Sequence, residues 1–211
     1  MASPFQNCRR TYGPVADRMR AITFDIESIS DSMVRGRIDV QEQELTVVAI
    51  HDSKTGEYSS YTKEELPRLW HILEHTDMLI GFNSDAFDIP LLNRYYPGDL
   101  TRLRSLDLLV EVQKVLGRRI RLQSLAEATL GRGKAGDGLK AVEWWKEGKH
   151  ELVRAYCIED VRLTRELYDY ALAHGTLKYK DLLDIRDIKL DTSLWDRVIT
   201  APPTMTHTLP L

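Results

Sequence analysis

The segment Ala21-Ile22-Thr23-Phe24-Asp25-Ile26-Glu27 constrains the fold more than any other stretch of the chain. Successive side chains of a β-strand point to opposite faces, so Ile22, Phe24 and Ile26 share one face. Thr23, Asp25 and Glu27 share the other. A run this apolar, entered from charged residues and left through a polar loop, reads as a central strand. It delivers two carboxylates side by side at its C-terminal end. Like charges held that close raise each other's pKa unless something cationic sits between them. A hard divalent cation with oxygen ligands is the economical remedy. Two solvated acids at a strand end are the plain alternative.

The residues downstream supply that strand with neighbours. Leu45 to Asp52 is β-branched and apolar, a second buried strand after a polar loop over 28–44. A turn at Lys54-Thr55-Gly56-Glu57 leads into a shorter strand, Tyr58 to Thr62, and the pair reads as an antiparallel hairpin. Thr62 and Glu65 open a helix whose buried stripe is Leu66, Leu69, Trp70 and Leu73. Asp77 to Phe82 is a fourth strand, and Pro90 requires the following helix to start near Asp88. Ser105 to Val110 is a short fifth strand running into a helix to about Leu116, and Leu122 to Leu130 is another helix. Gly131 to Gly138 is a basic connector, a long helix covers about Lys149 to Ala173, and Leu177 onward is a short strand or irregular wrap.

Further acids join the first pair. Asp88 has the local use of a helix N-cap. On the long helix, Val153, Tyr156, Cys157, Asp160, Thr164, Leu167 and Ala171 fall on one stripe at 100° per residue. A carboxylate on a stripe that is apolar at both ends is costly unless paired, hydrogen-bonded or metal-bound. Tyr156, one turn before Asp160, faces the same space. His71 and His75 have metal-ligand spacing but lack the rest of a zinc-protease pattern. Asp85 reads as a solvated turn residue. Arg132 and Lys134 in the Gly-rich connector are candidate contacts to a phosphate backbone.

The chain has 211 residues, 43% of them hydrophobic, enough to build one domain with an ample core. The net charge of −3 excludes a global basic field but not a local patch holding nucleic acid. Two cysteines, Cys8 and Cys157, make neither a disulfide framework nor metal-type spacing. With no membrane-length apolar run and no signal-peptide core, the expectation is a soluble cytoplasmic protein. The expected organisation is an N-terminal arm over 1–19, one domain over 20–200 and a tail over 201–211.

Phe24-Asp25-Ile26-Glu27, Gly81-Phe82-Asn83 with Phe87-Asp88-Ile89-Pro90, and Tyr156-Cys157-Ile158-Glu159-Asp160 resemble the three exonuclease motifs of DEDD 3′–5′ exonucleases. The spelling is nearest to the proofreading domains of family B DNA polymerases, and standalone bacterial ribonuclease H-like proteins are similar too. Tyr156, where a sister group has His, places the resemblance in the DEDDy branch. The resemblance covers roughly 21–175, with the motifs in matching order and spacing. It implies an α/β, ribonuclease H-like fold: a five-stranded mixed sheet, second strand antiparallel, helices on both faces. It also implies catalytic roles for Asp25, Glu27, Asp88 and Asp160, with Tyr156 as fifth group.

Four acids in one pocket suit two Mg²⁺ or Mn²⁺ ions clamping a scissile phosphate. Tyr156 would orient the attacking water, since a phenol with a pKa of about 10 is a poor base at neutral pH. Asn83 and Phe87 would hold the terminal nucleotide, Phe87 against a base. The expected substrate is the 3′ end of single-stranded DNA or RNA. Competing readings are an RNA-trimming enzyme or structure-specific endonuclease on the same fold, and a non-catalytic nucleic-acid-binding module.

Overall fold

A computed structural model describes residues 19–30, 39–133, 138–182 and 184–197, with backbone alone at 138 and 139. The expected arm before residue 19, Cys8, Lys134 and the expected C-terminal tail lie outside the described residues.

The segment rich in alternating apolar residues forms β1 (Ala21–Ile29), the middle of a five-stranded sheet. Its partner β2 (Glu44–Asp52) runs antiparallel, with Asp25 opposite Ala49 and Glu27 opposite Val47. β3 (Tyr58–Thr62) pairs antiparallel with β2 and occupies one edge. On the other side β4 (Met78–Gly81) is parallel to β1, and β5 (Arg104–Asp107) is parallel to β4. The order β3-β2-β1-β4-β5 is the expected mixed sheet with its second strand antiparallel.

Two details set the C-terminal half of β1 apart. Its pairing with β4 covers only Ala21 to Thr23, so the half that bears the acids has no strand on that side. Its register with β2 shifts between Glu27 and Ser28, where Thr46 Oγ1 donates to the Glu27 carbonyl at 2.8 Å. Such bulges re-aim side chains near strand ends.

Helices cover both faces. Ile22, Phe24 and Ile26 pack with Leu66, Leu69 and Leu73 of α1 (Leu66–Leu73) and with Leu91 and Leu92 of α2 (Asp88–Asn93). Pro67 sits in α1's first turn, where a missing N–H costs nothing. The capping box also forms: the Glu65 carboxylate accepts from the Thr62 N–H at 2.9 Å. On the opposite face, α3 (Leu108–Leu116), α4 (Leu122–Leu130) and α6 (His150–His174) bury Val112, Leu125, Leu163 and Leu167 against Met78, Ile80 and Leu106. α5 (Gly138–Lys146) adds Ala141 to a cluster of Val47, Ala49, Val153, Cys157 and Val161. Each such aliphatic side chain, fully buried, contributes about 1.5–3 kcal/mol relative to exposure.

Three elements differ from the sequence expectation. The fifth strand stops at Asp107, because its carboxylate accepts the Leu109 N–H at 2.9 Å and starts α3 there. The Gly-rich connector gives way to α5 at Gly138. The C-terminal wrap is a hairpin, β6 (Thr176–Asp181) and β7 (Asp184–Lys189), anchored through the buried pair Leu177 and Ile188. Among the described residues no helix is long and apolar enough to cross a membrane.

Candidate functional site

β1 projects Asp25 and Glu27 towards α6, and both stay half-buried. From α6 the fully buried Cys157 meets them. One ligand atom each from Asp25, Glu27 and Cys157 lie within 4.8 Å of one another. The thiol donates towards the Asp25 carbonyl at 3.4 Å and its carboxylate at 3.6 Å. Burial pushes the Cys157 thiol well above its ordinary pKa, and the negative charges of Asp25, Glu27 and Asp160 push the same way. The sulfur is therefore a protonated donor at neutral pH. In the sequence, a cysteine mid-stripe reads as a small hydrophobe, so its place among the acids shows only in three dimensions.

Asp88 reaches the same place from the other side of β1. Because β4 has left β1 at Thr23, the Ile26 N–H has no strand partner there, and Asp88 Oδ1 accepts it at 3.1 Å. Ile26 is the residue between Asp25 and Glu27, so the carboxylate of α2's first residue is tied to the strand segment that bears both acids. It is 5% exposed. Burial pushes its pKa up to about 7, against its own backbone N–H and that of Ile26, with Asp107's charge raising it further. The capping position itself belongs to Phe87, so Asp88 is more than an N-cap.

α6 completes the set. Asp160 and Tyr156 are both buried on the stripe that carries Cys157. Trp144 of α5 meets the Tyr156 ring edge-on, centroids 6.2 Å apart. That packing fixes the ring from a helix the sequence did not reveal.

The loop from β4 to α2 is clamped by a buried acid that sequence reasoning overlooked. Asp107 accepts the N–H groups of Asn83 at 2.8 Å, Asp85 at 3.1 Å and Leu109 at 2.9 Å. Burial raises its pKa despite those three bonds. Asn83 takes a left-handed conformation, φ +67°, which Asn tolerates better than most residues. Gly81 precedes it for a steric reason: a Cβ there would clash with the Ser84 side chain. Asn83 Oδ1 accepts a hydrogen bond from the Arg119 guanidinium. Phe87 packs half-buried beneath the loop, against the cluster of Phe24 and Leu91. Asp85 is exposed, as expected, and takes a hydrogen bond from Ser105 at 2.5 Å.

Arg132 is exposed and pairs with two acids of α6, Glu159 at 2.7 Å and Glu166 at 2.5 Å. His71 and His75 make no shared site. The His75 ring bonds the His71 carbonyl at 2.9 Å, and the His71 ring lies 3.6 Å from Glu74.

The donor set fits a hard divalent cation. Carboxylate oxygens from Asp25 and Glu27 converge within reach of solvent, while the buried Asp88 is tied to the Ile26 N–H and the buried Asp160 lies close enough to Cys157 for its charge to act on the thiol. Mg²⁺ and Mn²⁺ favour such oxygen donors. Asp88's raised pKa reflects its burial, with the charge of Asp107 adding to it, so ionising it is costly unless a cation is bound.

Comparison with known proteins agrees with this architecture. Residues 22–172 match the family model of the RNase H superfamily. No curated relative matches the sequence. Among solved structures, the chain is similar to the family B DNA polymerase from the hyperthermophilic archaeon Pyrobaculum calidifontis, with TM-score 0.58 and 19% identity. That alignment covers 74% of this chain and 25% of the polymerase chain, so the likeness is one of fold over about a quarter of the polymerase. The family match, by contrast, runs unbroken from β1 into the last turns of α6, and on that ground the chain belongs to the RNase H superfamily.

Proposed function

We propose that the protein is a 3′–5′ exonuclease that removes nucleoside 5′-monophosphates from the 3′ end of nucleic acid, most naturally single-stranded DNA. Membership of the RNase H superfamily supports a nuclease. What supports the finer reading is the approach of Asp25 and Glu27 to Cys157 of α6, with Asp88 on the Ile26 N–H between them in sequence and with Tyr156 and Asp160 buried on the same stripe of α6 as Cys157.

Asp25, Glu27, Asp88 and Asp160 would hold two divalent cations, Mg²⁺ or Mn²⁺. When bound, these supply Lewis-acid chemistry, making a water acidic and balancing charge on the phosphate. The water oxygen attacks phosphorus, the bond to the 3′-oxygen of the preceding nucleotide breaks, and that oxygen leaves as a hydroxyl. Tyr156, steadied by Trp144, orients the attacking water by a hydrogen bond. Asn83 and Phe87 position the terminal nucleotide from the loop that Asp107 clamps. Arg132 and Lys134 contact the phosphate backbone, for which Arg132 exchanges a glutamate partner for phosphate.

The test uses 5′-labelled single-stranded DNA, duplex DNA and RNA, each with Mn²⁺, with Mg²⁺ and with chelator. The expected product is a ladder shortening one nucleotide at a time from the 3′ end, absent with chelator. Cleavage of a circular strand identifies an endonuclease instead. Faster loss of RNA than DNA makes the protein an RNA-trimming enzyme. No cleavage of any strand in either metal refutes the reading.

A further inference from the structure

We infer that the turn between α3 and α4, Gly117-Arg118-Arg119-Ile120-Arg121, is the phosphate guide that leads a single-stranded substrate to this site. The inference rests on the nuclease reading and adds a substrate-binding surface to it.

Arg118, Arg119 and Arg121 are all exposed, and among the described residues none is ion-paired to a carboxylate. Most other arginines near the sheet are committed: Arg20 to Asp52 at 2.5 Å, Arg154 to Glu65 at 2.6 Å, Arg132 to two glutamates. Three guanidinium groups in four residues repel one another, and an anion with regularly spaced charges relieves that repulsion. The turn is also rigid. Gly117 ends α3 in the left-handed conformation, φ +69°, and Ile120 packs with Leu116 and Leu122 against the core. Arg118 lies over the Tyr179 ring, 5.5 Å from its centroid. The arginines are thus presented from a fixed backbone, so little order has to be imposed on binding.

Direction comes from Arg119. Its guanidinium bonds Asn83, five residues before Asp88 on the loop that enters the site. One end of the basic turn therefore touches the site itself. A phosphate backbone laid along Arg118 and Arg119 arrives at Asn83.

The experiment measures anisotropy of a 5′-fluorescein oligothymidylate of about 20 nucleotides, long enough for several phosphate contacts. The full chain is titrated at a series of salt concentrations in chelator, so that no strand is cut. Wild type is compared with the triple variant Arg118→Gln, Arg119→Gln, Arg121→Gln. A second triple, Lys54→Gln, Arg102→Gln, Arg197→Gln, removes equal charge beyond the opposite end of the β1 and β5 strands. Each phosphate contact on a single strand contributes about 0.7 to the slope of log K against log salt, so the first triple should flatten it by about 2. The distal triple should leave the slope at the wild-type value. Matching thermal transitions for the three proteins secure the comparison. Equal slopes for both triples overturn the inference. The nuclease reading is scored separately, by wild-type degradation of the same strand in Mn²⁺. Degradation with an unflattened slope in the first triple sinks the guide alone. A flattened slope with no degradation sinks the exonuclease reading and sustains the guide.

Discussion

Replacing Asp88 by Asn should stabilise the metal-free protein at alkaline pH while removing a proposed metal ligand. The carboxyl's pKa rises from 3.8 to about 7 in the fold, chiefly through burial. At 1.36 kcal/mol per pKa unit, a rise of that size is worth on the order of 4 kcal/mol. The sign follows from which form the fold prefers. A raised folded pKa favours the protonated carboxyl, so the contribution is full below the unfolded value near 4 and lost as pH climbs through about 7. Asn is nearly isosteric with the protonated acid and keeps an oxygen to accept the Ile26 N–H. Chelator-treated wild type should therefore lose on the order of 4 kcal/mol relative to Asp88→Asn between pH 4 and pH 8. In a domain of this size that is about 10 °C in Tm at pH 8. Denaturant titrations of both proteins across that range measure the difference, which includes the response of Asp107, whose charge bears on Asp88. Mn²⁺ at pH 8 should restore most of the gap in wild type and little in the variant. Parallel stability curves from pH 4 to pH 8 would refute the argument, since they would mean that Asp88 ionises in the fold at no extra cost.

The same geometry sets the outcome of other substitutions. Asp25→Ala or Asp160→Ala should each cost at least about three orders of magnitude in nuclease rate, read with end-labelled strands under single turnover; near-wild-type rates would remove them from the site. Tyr156→Phe should be milder, with substrate binding unchanged, because the hydroxyl only orients water; a loss equal to Asp25→Ala would give it a larger role. Asp107→Ala leaves the N–H groups of Asn83, Asp85 and Leu109 without their acceptor, and should cost at least about 2 kcal/mol of stability in denaturant titration. Arg132→Gln breaks two largely exposed ion pairs and should change stability by under about 1 kcal/mol.

Much of the sheet was legible because its signals are local. β1 and β2 carry runs of β-branched and aliphatic residues, and the turn at Lys54 to Glu57 marks the hairpin. The acids on β1 and α6 were legible as well, because strand alternation and helical spacing decide which way a side chain points. Asp160 on a buried stripe shows this, as its predicted burial is the one observed. What stayed hidden depends on neighbours far along the chain. Asp107 is 24 residues from Asn83, and nothing in Ser105-Leu106-Asp107 announces that the carboxylate ends a strand and clamps another loop. Arg132 shows the same dependence: its pairing with Glu159 and Glu166 of α6 is not legible in a Gly-rich segment.

The early end of β4 links Asp88, Asn83 and Asp107. A parallel neighbour running the full length of β1 would have bonded the Ile26 N–H and left Asp88 no donor there. Instead β4 ends at Gly81, where the close approach of Ser84 admits no side chain, and the backbone turns away through the left-handed Asn83. Asp107 at the end of β5 then fixes that departure by taking the loop's N–H groups. The Ile26 N–H is exposed by the same turn that carries Asp88 back to cover it. Opening the sheet and assembling the acids are thus one structural event, governed by Gly81, Asn83 and Asp107. Substituting any of these three should free the Ile26 N–H from Asp88, read as faster amide hydrogen exchange at Ile26 in protein that is still folded; unchanged exchange there would refute the link.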